Sequence, residues 1–143
     1  MATVREVLAK KGTDVASVRP DDTVLEAARR MNERHIGAVM VMEDGRIAGI
    51  FTERDILVRV VGRELAPAET LVSAVMTAEP HTIGPDITLE ECEKIITERR
   101  VRHLPIVENG RLLGMISAGD LLRHELEARN ETIKDLHNYM YKS

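Results

Sequence analysis

GIFTERD, residues 49–55, and GMISAGD, residues 114–120, decide how this chain is read. Each has a glycine, two apolar residues, a hydroxyl, two variable positions and an aspartate. They lie 65 residues apart, and at that shift residues 20–57 fall on 85–122 without a gap. Twelve of the 38 pairs are identical, too many for coincidence. Pro20-Asp21 meets Pro85-Asp86, Glu33-Arg34 meets Glu98-Arg99, and Gly45-Arg46 meets Gly110-Arg111. Other pairs exchange one aliphatic for another, as at Val39/Leu104, Val41/Ile106 and Ile47/Leu112. A self-match of this kind signals two copies of one structural unit.

Each copy reads as β-α-β-β-α. A short strand (Val15 to Val18; His81 to Ile83) precedes a helix. The helix opens at Thr23 or Thr88, with Glu26 or Glu91 three residues on, the spacing of a capping box. Val24, Ala27, Ala28 and Met31 recur at helical spacing, as do Leu89, Cys92, Ile95 and Ile96. Two apolar strands follow, joined at Asp44-Gly45 or Asn109-Gly110, both strong hairpin signals. A second helix begins at Thr52 or Ser117. A small sheet with one covered face is hard to stabilise alone. The reading is therefore an α+β fold of two units packed sheet to sheet with pseudo-twofold symmetry. The first unit and its connecting loop take residues 1–69, the second 70–123, and a helical tail 124–143. Residues 3–10 and 71–76 are expected to be short helices leading into the first and second units. In the tail, Leu122, Leu126, Ile133, Leu136 and Met140 fall close to a heptad pattern that Arg129 interrupts. That helix needs something to pack on, either a partner subunit or its own domain.

Composition narrows the function classes. The chain has 143 residues, a net charge of −4, and only three aromatic side chains, Phe51, Tyr139 and Tyr141. Acidity and the lack of stacking platforms argue against nucleic acid. The single cysteine, Cys92, allows neither an internal disulfide nor a cysteine metal cage, and reads as a small buried helix residue. The N-terminus does not read as a signal peptide, and no apolar run reaches membrane-spanning length. A cytoplasmic location is expected. No metal-ligand spacing, phosphate loop or nucleophile–base pair marks an enzyme.

The repeated hydroxyl–aspartate pair has two readings. Thr52/Asp55 and Ser117/Asp120 are two more capping boxes, although aspartate is expected to reach back less well than glutamate. They also suit a ribose phosphate. A helix N-terminus favours anions, the hydroxyl adds a donor, and the aspartate can accept from two ribose hydroxyls. Gly37 and Ala38 would let a flat base approach the backbone. Val18, Ile36, Ile83 and Val101 could sandwich an adenine. Arg54 lies inside the first motif, and Arg102 and His103 precede an apolar strand where the first copy has only Gly37 and Ala38. Arg99 and Arg100 read as a solvated helix end, and His35, His81, His124 and His137 as surface or structural.

The two motifs, the two hairpins and the duplication together resemble a CBS-domain pair, or Bateman module, over residues 3 to 122. That resemblance implies an adenosine-containing ligand (AMP, ADP, ATP, an NAD-type dinucleotide or S-adenosylmethionine) in the cleft between repeats. It implies that Asp55 and Asp120 hold ribose, and that Thr52, Ser117, Arg102 and His103 hold phosphate. It further implies a homodimer with a regulatory, signal-transducing role and no required cofactor. Gly119 stands opposite Arg54, so unequal sites are expected. With no effector domain evident, three modes of action stay open: a separate effector protein, buffering or sensing of nucleotide, and regulation through the dimer tail. The alternatives are an interaction protein with a vestigial cleft and, more distantly, a nucleotide-processing enzyme.

Overall fold

The computed structural model describes residues 2–141. In chain order the elements are α1 (Val4–Lys11), β1 (Ser17–Val18), α2 (Val24–Arg34), β2 (Ala38–Glu43), β3 (Arg46–Thr52) and α3 (Glu53–Asp55). Helix α3 runs straight into a wide π-helical segment, Ile56–Val61, and a 3₁₀ turn follows at Pro67–Glu69. Then come α4 (Val72–Val75), β4 (Thr77–Ala78), α5 (Leu89–Arg99), β5 (His103–Glu108), β6 (Arg111–Ser117) and α6 (Ala118–Tyr141).

Local chemistry explains the repeat. Asp44-Gly45 and Asn109-Gly110 take positive φ at both positions, as a type I′ hairpin turn requires. Thr23 and Thr88 cap α2 and α5, and each box is closed by its glutamate. Strand alternation then sorts the side chains. Val39, Val41 and Phe51 enter one core with α2, while Leu104, Ile106 and Ile116 enter a second with α5. The opposite faces supply Ala38, Met40, Ile50 and Met115, which join in a third cluster between the two hairpins. The expected sheet-to-sheet pairing is this cluster.

The copies differ in their sheets. The first has four strands in the order β1-β2-β3-β4, and the second has only β5-β6. Pro105 accounts for much of this. At the matching place Met40 donates its N–H to the Ala16 carbonyl at 3.0 Å. Proline has no N–H to give. The expected strand at His81–Ile83 therefore contracts to one bridge, Ile83 to Ile106.

The leading helices are where expected in sequence, but each packs on the other repeat. Val4 and Arg5 of α1 donate to the Ile87 and Pro85 carbonyls at 3.0 and 2.8 Å. Val72 and Ser73 of α4 donate to those of Asp22 and Pro20 at 2.8 and 3.0 Å. Val4, Val7 and Leu8 thus complete the second core, and Val72 and Val75 the first. Burying these side chains is worth about 1.5–3 kcal/mol each. In α6, Leu121 is buried, while Leu122, Leu126, Ile133, Leu136 and Met140 are exposed. Among the described residues, the tail's apolar positions are not covered by its own domain.

Candidate functional site

The motif glycine serves a close approach. A Cβ on Gly49 would lie 2.5 Å from the Thr77 carbonyl oxygen and 2.8 Å from Met76 Sδ. One on Gly114 would lie 2.9 Å from Leu8 Cδ2. The glycine therefore lets the leading segment of the crossed-over helix lie against the motif strand.

The hydroxyl and aspartate do form capping boxes, and the aspartates reach back better than the glutamates. Thr52 N–H donates to Asp55 Oδ2 at 3.0 Å and Ser117 N–H to Asp120 Oδ2 at 2.8 Å, against 3.3 and 3.4 Å in the glutamate boxes. The shorter side chain fits the turn because the carboxylate is drawn under the N-cap. Both aspartates are buried, at 7% exposure each. The Thr52 hydroxyl also donates to Asp55 Oδ2 at 3.2 Å. Glu53 N–H donates to the Gly37 carbonyl at 3.0 Å. Several donors at this helix start are thus already engaged, which weakens the expectation of a bare anion-binding N-terminus.

A cleft of about 800 Å³ opens in front of Asp55. Its walls bring together residues from both copies. Thr52, Arg54, Asp55 and Gly37 come from the first, and Val101, Arg102 and His103 from the second. Arg59, Arg99, Arg100 and His81 also line it. Five arginines and two histidines thus face two carboxylates, Asp55 and Glu53. The first is the carboxylate that the sequence leads us to expect at ribose. The second packs over Gly37, where a Cβ would collide with it. Burial pushes the His103 imidazole below its ordinary value, while the Glu53 carboxylate draws it back up. The apolar wall is Ile50, Leu57, Val58, Pro80 and Leu104. Val18 and Ile83, expected to flank a base, are buried in the first and second cores. Ala38 is buried between the hairpins, and Ile36 is exposed. Of the four expected base contacts, only Val101 lines the cleft.

Ser117 and Asp120 stand elsewhere, at the matching place in the second copy. There Lys11 Nζ donates to Asp120 Oδ2 and to the Met115 carbonyl, both at 2.6 Å. Arg123 Nη1 approaches Asp120 Oδ1 at 3.3 Å. Burial pushes the Asp120 carboxyl up, but Lys11 and the Ser117 donors outweigh it and hold it below the usual carboxylate range. In the first copy the corresponding cation is Arg59, whose Nε stays 3.8 Å from Asp55 Oδ1, beyond hydrogen-bond range. Arg59 instead donates to the Val75 and Met76 carbonyls at 3.1 and 2.7 Å.

The family model for the CBS domain matches this chain twice, at residues 4–62 and 72–127. The chain belongs to the CBS-domain family. A CBS domain-containing protein of Bacillus subtilis, YhcV, is 34% identical over 128 residues, 88% of this chain and 87% of its own length. The crystal structure of a CBS-domain protein from Agrobacterium tumefaciens is 40% identical and covers 87% of this chain and 99% of its own, with a TM-score of 0.83. A CBS domain protein from Pyrobaculum aerophilum, solved in complex with AMP, shares the fold at 22% identity and a TM-score of 0.73, over 82% of this chain and 88% of its own.

Within this CBS pair, sequence reasoning missed four basic cleft residues, Arg59, His81, Arg99 and Arg100, along with the apolar wall. Arg99 and Arg100 close α5, which ends on Arg100 in the left-handed region, φ 54°. That turn places both arginines, still exposed, along the cleft wall. A signal existed, because Arg100 immediately precedes the Val101-Arg102-His103 stretch. His81 and Arg59 carried none, since neither lies in a repeated motif. Cys92 is buried, and burial pushes its thiol up to about 11, which suits an inert core residue. No described helix is long and apolar enough to cross a membrane.

Proposed function

We propose that this CBS pair is a regulatory module that binds one adenosine-containing phosphate ligand, such as AMP, ADP, ATP or an NAD-type dinucleotide, in the cleft before Asp55. The observation that carries the reading is the cleft's composition. A buried aspartate and a hydroxyl lie on one wall and five arginines lie around it. Asp55 accepts the ribose hydroxyls. Thr52, Arg54, Arg102 and His103 take the phosphates, helped by Arg99 and Arg100. Val101 and the apolar wall cover the base, and Gly37 keeps the floor low. The AMP held by the Pyrobaculum protein supports this ligand class for the fold. Occupancy acts by differential affinity for two arrangements of the repeats, and a homodimer in the cytoplasm passes it to a separate effector protein.

The test is a thermal-shift panel of AMP, ADP, ATP, NAD⁺, NADH and S-adenosylmethionine on wild type, Asp55→Ala and Asp120→Ala. A ligand at about 100 times its Kd adds roughly 2.7 kcal/mol of apparent stability. The expected result is stabilisation by a phosphate-bearing ligand that Asp55→Ala abolishes and Asp120→Ala keeps. No shift with any ligand overturns the proposal. It would favour a second reading, an interaction protein, for which the exposed apolar positions of α6 are the supporting observation.

A further inference from the structure

The second motif keeps its glycine, hydroxyl and aspartate. Asp120 is as buried as Asp55 and closes the same box. Its surroundings differ. Aligning the leading helices by their backbone bonds sets Val4 on Val72 and Leu8 on Met76. In that register α4 stops at Val75, and the chain turns into β4, which pairs with Gly49 and Ile50 of β3. Helix α1 continues to Lys11 instead. The extra turn carries Lys11 Nζ to the Met115 carbonyl, the counterpart of the Ile50 edge that β4 covers. The same ammonium donates to Asp120 Oδ2, whose other bond is to Ser117 N–H. Arg123 takes Oδ1. Both oxygens of Asp120 are thereby engaged.

We infer that Lys11 is a built-in ligand of the second motif. It occupies the place where a ribose diol would meet Asp120, and so limits the module to one nucleotide per chain. An ammonium and a pair of vicinal hydroxyls compete for the same carboxylate, both as donors. A charge-assisted bond is the stronger of the two, and Lys11 is tethered, so it competes at high effective concentration. The surrounding side chains offer the ligand less in return. The positions matching Arg54, Arg100, Arg102 and His103 are Gly119, His35, Gly37 and Ala38. The position matching Arg99 is Arg34, which is paired with Asp14 at 2.6 Å. Lys11, outside both motifs, sets the stoichiometry.

The inference rests on the nucleotide reading for its ligand, so the experiment separates the two. Isothermal titration with ATP is run on wild type, Lys11→Met and Lys11→Met/Asp120→Ala. Methionine keeps an apolar stem and removes the ammonium. One ATP per chain is expected for wild type, two for Lys11→Met and one for the double variant. Two sites in wild type, or one in Lys11→Met folded as judged by circular dichroism, overturns the inference. If no variant binds ATP, the nucleotide reading falls for this probe, and lysine acylation read by peptide mass spectrometry decides the role of Lys11. Lys11 labelling several-fold more slowly than its neighbour Lys10, with the difference lost in Asp120→Asn, sustains it. Equal labelling of the two lysines ends it.

Discussion

Asp55 and Asp120 close the same box at the start of the same kind of helix, yet one looks into a cleft ringed with arginine and the other is held by Lys11. The backbone around them is nearly a copy. What differs lies outside the motif's shared glycine, hydroxyl and aspartate: a longer α1, a π-helical turn after Asp55, a proline at 105, and side chains exchanged across the pair. At Gly37 and Arg102 the exchange is reciprocal. Gly37 leaves room for Glu53, while Arg102 faces Ala118, whose N–H donates to its carbonyl at 2.9 Å. Duplication preserved the scaffold and let each motif acquire its own charged neighbours.

That comparison can be broken at its glycines first. Gly49→Ala drives a Cβ against a backbone carbonyl that cannot yield, whereas Gly114→Ala meets only the tip of Leu8. The expected losses are about 3 kcal/mol for Gly49→Ala and about 1 kcal/mol for Gly114→Ala, read by urea unfolding. Equal losses would mean that the two leading helices approach their strands alike.

The aspartates come next. Asp120→Asn leaves Lys11 without its counter-charge. Because Lys11 is about a third exposed, the cost falls below that of a fully buried pair, at about 2 kcal/mol. Asp55→Asn loses chiefly a cap, about 1 kcal/mol. Chemical denaturation of the two variants at pH 7 checks the order. A larger loss for Asp55→Asn would contradict the Lys11 contact.

The smallest effect is a dependence on pH. His103 stands where the first copy has Ala38, and burial holds its folded-state value below the ordinary one. The unfolded chain therefore binds this proton first. The contribution is fully present above the unfolded value of about 6.5 and is lost as pH falls through the lower folded value. Stability should decline with acid in that window, and His103→Ala should remove that part of the slope.

Much of this was legible in the sequence. The capping threonines, the two Gly-containing hairpin turns and the alternation of β2, β3, β5 and β6 are local signals, and each element stands where its residues put it. Thr52, Arg54, Asp55, Arg102 and His103 were legible as a group because motif and divergence marked them. The rest depended on contacts distant in the chain. Nothing near Lys11 announces Asp120, which lies 109 residues on. Nor does anything near Pro105 say that an absent N–H will shorten a strand some twenty residues earlier. Val18 and Ile83 were misplaced because a buried strand residue and a ligand-facing one share the same apolar chemistry.

The crossing of the leading helices also bears on how the molecule comes into being. Helix α1 leaves the ribosome before the core it completes, which contains Ile83, Leu104, Ile116 and Leu121. Its apolar side must wait through most of the synthesis of the chain, and a half made of residues 2–69 would keep α1 without its core and lack α4 altogether. Long-range closure of this kind slows folding and leaves surface open to misassembly meanwhile. The two repeats are therefore coupled as a single cooperative unit, and of the two leading helices the one translated earlier, α1, is the one that finds its core later.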